Sequence, residues 1–176
     1  MLTRLKIANT TCILLLCAIL SGALYFQFIL KEQPCPLCLL QRCGMFGVTI
    51  GLLLNVFFGF KPQHFAVVII AALTGLLFAT RQVLLHIAPQ PGEALGYGTP
   101  VFGMYLYSWS VIIFLCCILG AALFLFFLPK ISHQKTTFSS FEKIAIFCVA
   151  ALLIINVVAT FFECQIGPCC ENGPCP

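Results

Sequence analysis

Residues 33–44 read Gln33-Pro-Cys-Pro-Leu-Cys-Leu-Leu-Gln-Arg-Cys-Gly44, or QPCPLCLLQRCG. Cys35 and Cys38 form a C-P-x-C pair ahead of Gln41-Arg42, and long apolar runs flank the stretch on both sides. A pair at this spacing binds metal, closes a structural disulfide or exchanges electrons. Its surroundings bear on the choice.

The chain has 176 residues, 61% of them hydrophobic and 8% charged, with a mean hydropathy of +1.10. A soluble domain cannot bury that much apolar surface in one core, so the composition describes an all-α integral membrane protein. The net charge of +4 is spread along the chain. It speaks for orientation in a bilayer and against a nucleic-acid surface.

About 20 apolar residues cross the hydrocarbon core as a helix, and five runs of that length stand at 9–29, 37–59, 65–86, 105–128 and 144–162. The first has a charged start that resembles a secretory signal peptide, but its apolar run continues to Leu30 and Ser21-Gly-Ala23 is a weak cleavage site. Residues 1–162 thus read as one transmembrane bundle and 163–176 as a short Cys-rich tail. With the N-terminus inside, six basic residues (Arg4, Lys6, Lys61, Lys130, Lys135, Lys143) face the cytoplasm and three (Lys31, Arg42, Arg81) face outward. Five crossings then place the tail on the outer side, together with the 30–36 and 87–104 connections. Of the twelve cysteines, those at 12, 17, 43, 116, 117 and 148 lie in apolar runs, where a thiol acts as a small hydrophobe. The other six are Cys35, Cys38, Cys164, Cys169, Cys170 and Cys175, and all fall on the oxidising side of a bacterial inner membrane.

Pro36 suits the first turn of a helix, where its missing N–H costs nothing. Cys38 then lies in the first turn, where free backbone N–H groups and the positive helix end favour a thiolate. Arg42, four residues on, adds a permanent charge on the same face. An arginine this close to hydrocarbon snorkels to the headgroups, or polarises a lipid-soluble acceptor beside the dithiol. Arg81 and Gln82 stand near the outer end of the third run with His86 beyond, and Arg81 and His86 are candidates for the same pocket. For His86 an interfacial role and a functional one are both open. The aromatic set Tyr97, Phe102, Tyr105, Tyr107 and Trp109 reads as an interfacial belt or as a lid over a lipid-facing pocket. A metal site needs a second ligand pair, and no zinc-finger or ribbon spacing is present. A structural disulfide across so short a loop restrains the unfolded chain little. Electron exchange uses every residue of the stretch.

The segment CPLCLLQR at the outer start of a second membrane helix resembles the disulfide bond formation protein B (DsbB) family, over residues 9–128. The resemblance implies a four-helix transmembrane bundle, here with a fifth C-terminal helix. It implies a protein-disulfide:quinone oxidoreductase that reoxidises a periplasmic thioredoxin-like, DsbA-like dithiol oxidase and passes electrons to the membrane pool of ubiquinone or menaquinone. Cys38 becomes the quinone-facing sulfur, Cys35 its disulfide partner and Arg42 the quinone-side cation; Arg81 and Gln82 match more loosely.

Two features depart from that pattern. Family members carry a second cysteine pair between the third and fourth helices, and residues 87–104 contain none. Conversely, the fifth run and the tail ECQIGPCCENGPCP are additional. The tail cysteines Cys164, Cys169, Cys170 and Cys175 stand in for the absent pair as a relay, brace the outer end, or bind a soft metal. The rival function is a metal-binding or transport protein using that tail. The helix centres hold little that is polar beyond Asn55, Thr74 and Asn156, which argues against an ion path. A quinol-driven reductase is the same machinery in reverse.

Overall fold

The structure is a computed structural model, and it describes residues 2–88, 98–128 and 138–164, with the backbone of 169–170 and 173–174. The described residues form five α-helices: α1 (Leu2–Phe28), α2 (Pro36–Phe58), α3 (Pro62–Ile87), α4 (Leu106–Phe126) and α5 (Ser140–Cys164). Each is long and apolar enough to cross a membrane. At about 1.5 Å per residue they reach or exceed a hydrocarbon core of about 30 Å. The protein is a multi-pass membrane bundle.

The helix starts follow local chemistry. Pro36 and Pro62 open α2 and α3 at positions where a backbone donor is dispensable. Glu142 accepts a hydrogen bond from Ser139 N–H at 2.8 Å, capping α5. α1 begins at Leu2, seven residues before the predicted run, and the polar Asn9 and Thr10 at the start of that run are both buried inside the bundle. Asn9 Nδ2 donates to Leu52 O at 3.1 Å, Asn55 Nδ2 donates to Asn9 Oδ1 at 3.2 Å, and His64 Nδ1 meets Asn55 Oδ1 at 3.0 Å. These bonds satisfy groups that hydrocarbon would leave unpaired.

The main seam is α2 on α3, then α3 on α4, while α5 packs chiefly on α1. In lipid there is little hydrophobic drive between helices, so close backbone approach supplies the packing. Gly44, Gly47 and Gly51 of α2 face Gly75, Ala71 and Val68 of α3. A Cβ on Gly44 would lie 2.8 Å from the Gly75 Cα, and a Cβ on Gly75 would enter the Phe114 ring. The fully buried Phe114 thus brings α4 onto the same seam. At the opposite end from Cys35, Phe65 of α3 stacks on Phe124 of α4 at 5.5 Å between ring centroids.

In the tail, β1 (Cys169–Cys170) pairs antiparallel with β2 (Gly173–Pro174), against the end of α5. Tyr97, Lys130, Lys135 and Cys175 lie outside the described residues.

Gly75→Val drives a branched side chain into Phe114. The expected outcome is a loss of about 1–3 kcal/mol, read as a lowered unfolding temperature in detergent. Thr74→Val, on the exposed side of the same helix, leaves that temperature within a degree or two.

Candidate active site

Cys35 is the N-cap of α2, in extended conformation, and Cys38 N–H donates to its Sγ at 3.2 Å. The local sequence dictates this. Pro34 and Pro36 hold the chain extended into the turn, and the sulfur takes one of the donors that a helix start leaves free. Cys35 and Cys38 are joined as a disulfide, with Cα atoms 5.1 Å apart. Cys35 is only 7% exposed, while Cys38 is half-buried.

Gln82 of α3 reaches the pair. Its Nε2 lies 3.1 Å from Cys35 Sγ and 3.4 Å from Cys38 Sγ. Gln41, in the next turn of α2 after Cys38, donates through Nε2 to Gln82 Oε1 at 2.6 Å. Since that oxygen is taken by Gln41, the Gln82 amide must turn its N–H donors toward the sulfurs. Both glutamines are buried, so their amides compete with little water.

Arg42 extends toward α1. Its NH1 donates to Gln27 Oε1 at 2.6 Å and its NH2 to Ala23 O at 3.1 Å. Gln27 Nε2 in turn donates to Glu163 Oε1 at 3.3 Å, at the end of α5. These contacts place the ends of α1 and α5 and the start of α2 at one end of the bundle.

A cavity of about 520 Å³ opens between these elements. Ile19, Phe26, Met45, Leu106 and Ile113 give it apolar walls, and Cys35, Cys38, Gln41, Arg42 and Tyr107 give it polar points. That size and mixture suit a small organic ligand. The turn Val101–Met104 forms part of its rim, closed by paired backbone hydrogen bonds of 2.8 and 3.1 Å. Phe102 and Gly103 both have positive φ there, at 50° and 80°, the backbone of a tight hairpin turn. A phenylalanine in the left-handed region is unfavourable by about 1–2 kcal/mol, yet Phe102 is held there 93% exposed. Trp109 Nε1 donates to Val101 O at 3.0 Å, and Glu32 Oε1 accepts from Thr99 N and Oγ1 at 3.1 and 2.6 Å. The Glu32 contacts tie the approach to Cys35 to the rim.

The remaining candidates divide. His86 packs on Tyr105 and Tyr107, with ring centroids 4.9 and 5.8 Å away. His86 Nδ1 and Tyr107 Oη are buried and find no partner among the described residues. Tyr107 lines the cavity and His86 stands behind it. Arg81 is exposed on α3, one residue from Gln82. Cys164 is buried at the end of α5 and is disulfide-bonded. Of Cys169 and Cys170 the backbone strand is described, and Cys175 is not.

Gln27 and Glu163 escaped the sequence reading, and Gln41 entered it only as part of the C-x2-C-x2-Q-R motif with no role of its own. Each is a polar residue in the outer turns of an apolar helix, where such a group needs a partner. What the sequence withheld was which helices face one another.

A disulfide at the mouth of a membrane helix, held by an amide donor and opening on an apolar cavity with a buried guanidinium, defines a membrane disulfide oxidoreductase. The family model described as "Disulfide bond formation protein DsbB" matches residues 6–97, more than half of the chain. The chain belongs to the DsbB family. It is 34% identical over 74 residues to disulfide bond formation protein B of Photorhabdus laumondii, covering 40% of this chain and 44% of that protein. It is 28% identical over 139 residues to that of Burkholderia ambifaria, covering 60% of this chain and 79% of the relative. A third match, 36% over 72 residues, is to disulfide bond formation protein B of Blochmanniella pennsylvanica, covering 39% of this chain and 41% of the relative. The chain thus spans less than half the length of the Photorhabdus and Blochmanniella relatives. No solved structure matches the chain.

A donor aimed at sulfur stabilises the reduced thiolate more than the disulfide. Hydrogen bonds to charged groups contribute about 1.5–3 kcal/mol, and about 30 mV corresponds to 1.4 kcal/mol for this couple. Gln82→Leu is therefore expected to lower the Cys35–Cys38 potential by roughly 30–60 mV in a thiol-redox titration; an unchanged potential would show that Gln82 only packs against the pair.

Proposed function

We propose that the protein oxidises a thioredoxin-like, DsbA-like dithiol partner on the periplasmic side of a bacterial inner membrane and delivers the electrons to membrane quinone. The observation that carries this is the joint presence of Cys38 and Arg42 on one largely apolar cavity. A quinone ring fits such walls, and its carbonyl oxygens accept hydrogen bonds. Arg42 is a donor at that cavity and Tyr107 lines it, so Arg42 would hold the ring against the Tyr107 wall, with Cys38 facing it. Bound there, ubiquinone or menaquinone supplies the two-electron acceptor that returns the cysteine pair to its disulfide.

The chain's own steps follow from thiol chemistry. A thiolate attacks Cys35 Sγ, the Cys35–Cys38 bond breaks, and the electron pair leaves on Cys38 Sγ. The helix start, the Gln82 amide and the Arg42 charge all favour that leaving thiolate. A second thiol of the attacking pair then displaces Cys35, which takes up a proton, and departs as a disulfide. Arg81 and His86 support the site from the third helix, Arg81 as an outer cation and His86 by backing Tyr107.

Cys35 is too buried for easy attack by a folded protein. This favours entry through the tail, where Cys164 is already disulfide-bonded at the same end of the bundle. On this proposal Cys164, Cys169, Cys170 and Cys175 take electrons from the partner and hand them to Cys35. The charge bias of the connections puts the N-terminus in the cytoplasm and this tail in the periplasm.

Purified protein with a reduced thioredoxin-like partner and a soluble quinone should consume quinone, and Cys38→Ser should abolish that consumption. Quinone consumption that persists in the variant overturns the function. Replacing the four tail cysteines by serine should stop oxidation of the partner but leave oxidation of dithiothreitol intact. Full partner oxidation in that variant removes the relay and leaves direct attack at Cys35.

A further inference from the structure

We infer that Glu163 of α5 is a positioning residue for the quinone-side arginine, acting through Gln27 of α1. The inference rests on the proposed role of Arg42 and concerns the helix that lies outside the family-matched residues 6–97.

The geometry is a three-member chain. Arg42 NH1 donates to Gln27 Oε1 at 2.6 Å, and Gln27 Nε2 donates to Glu163 Oε1 at 3.3 Å. Arg42 and Gln27 are both buried, and Glu163 is half-buried behind them. A guanidinium has donors only and an ionised carboxylate acceptors only, whereas an amide has one face of each kind. Gln27 is the one member able to turn over. With Glu163 holding its amino group, its oxygen must face Arg42. Without that hold the amide is free to present N–H to a guanidinium that cannot accept it, and Arg42 loses its 2.6 Å partner. The carboxylate also places a negative charge one residue removed from a buried cation, close enough to offset it in a medium of low dielectric and far enough not to occupy the donors needed in the cavity.

The neighbouring residue gives the arrangement a second consequence. Glu163 directly precedes the disulfide-bonded Cys164. The helix end that carries the tail cysteines is therefore the one that orients Arg42. The fifth helix serves the electron acceptor's site as well as anchoring the tail.

The test compares Glu163→Gln, Glu163→Lys and Arg42→Ala in intact protein, with short-chain ubiquinone-1 as the probe and dithiothreitol as the electron donor. A lysine has donors only, so E163K competes with Arg42 for the single Gln27 Oε1. It is expected to raise the KM for ubiquinone-1 by about ten-fold, equivalent to about 1.4 kcal/mol, with little change in kcat at saturating quinone. E163Q still accepts from Gln27 without the charge, and its KM is expected to rise by roughly three-fold. A purely structural role would lower thermal stability and leave the order of KM values flat. Equal KM values in wild type, E163Q and E163K overturn the inference, as does an equal rise in the two variants. Should E163K not assemble, Gln27→Met removes the amide and is expected to give the same ten-fold rise, and an unchanged KM there overturns it as well. R42A separates the two levels: a KM unchanged in R42A refutes the quinone-side role of Arg42 itself. A rise in R42A with a flat response at Glu163 refutes only the positioning by α5.

Discussion

The close approach of α2 and α3 is the constraint on which the site depends. Gly44, Gly47 and Gly51 let the α3 backbone come near enough that no Cβ fits between Gly44 and Gly75. Only at that separation does Gln82, seven residues beyond Gly75 on α3, place its amide on the cysteine sulfurs. The glycines lie along the middle of their helices and the chemistry at the helix ends, so packing energy in one place sets hydrogen-bond geometry in another. Phe114 locks the same seam from α4 and so holds the Tyr107 end of that helix over the cavity.

Two amides do parallel work around the disulfide. Gln82 has its oxygen taken by Gln41 and turns its amino group to sulfur. Gln27 has its amino group taken by Glu163 and turns its oxygen to Arg42. In each case a neighbour from another helix removes the amide's freedom to flip, and in a poorly hydrated interior no water competes for the role. The site thereby presents a donor to sulfur and a buried cation, held by Gln27 and Ala23 with further donors to spare, within one apolar enclosure.

The opposite end of the bundle carries a polar network. Asn9, Asn55 and His64 satisfy one another across α1, α2 and α3. Polar bonds at that end and the glycine seam between them hold these three helices in register. α5 stands apart in packing mainly on α1, yet it reaches the site at its last turn through Glu163.

The sequence by itself determined the membrane class, the five helices, the redox-active pair and the family, because hydropathy, Pro36 and the C-x2-C-x2-Q-R spacing are local properties of the chain. It also singled out Gln82 and Arg42, each near the outer end of its helix. Tertiary structure decided the rest. Gln41 lay inside the opening motif without a role until α3 supplied the oxygen it binds. Gln27 and Glu163 stand 136 positions apart and share a hydrogen bond only because α5 returns to α1. Arg81 and Gln82 are neighbours in the chain, but successive residues point about 100° apart on a helix, so one faces outward and the other meets the disulfide. Which face of each helix turns inward is a matter of contact between helices, and no single apolar run records it.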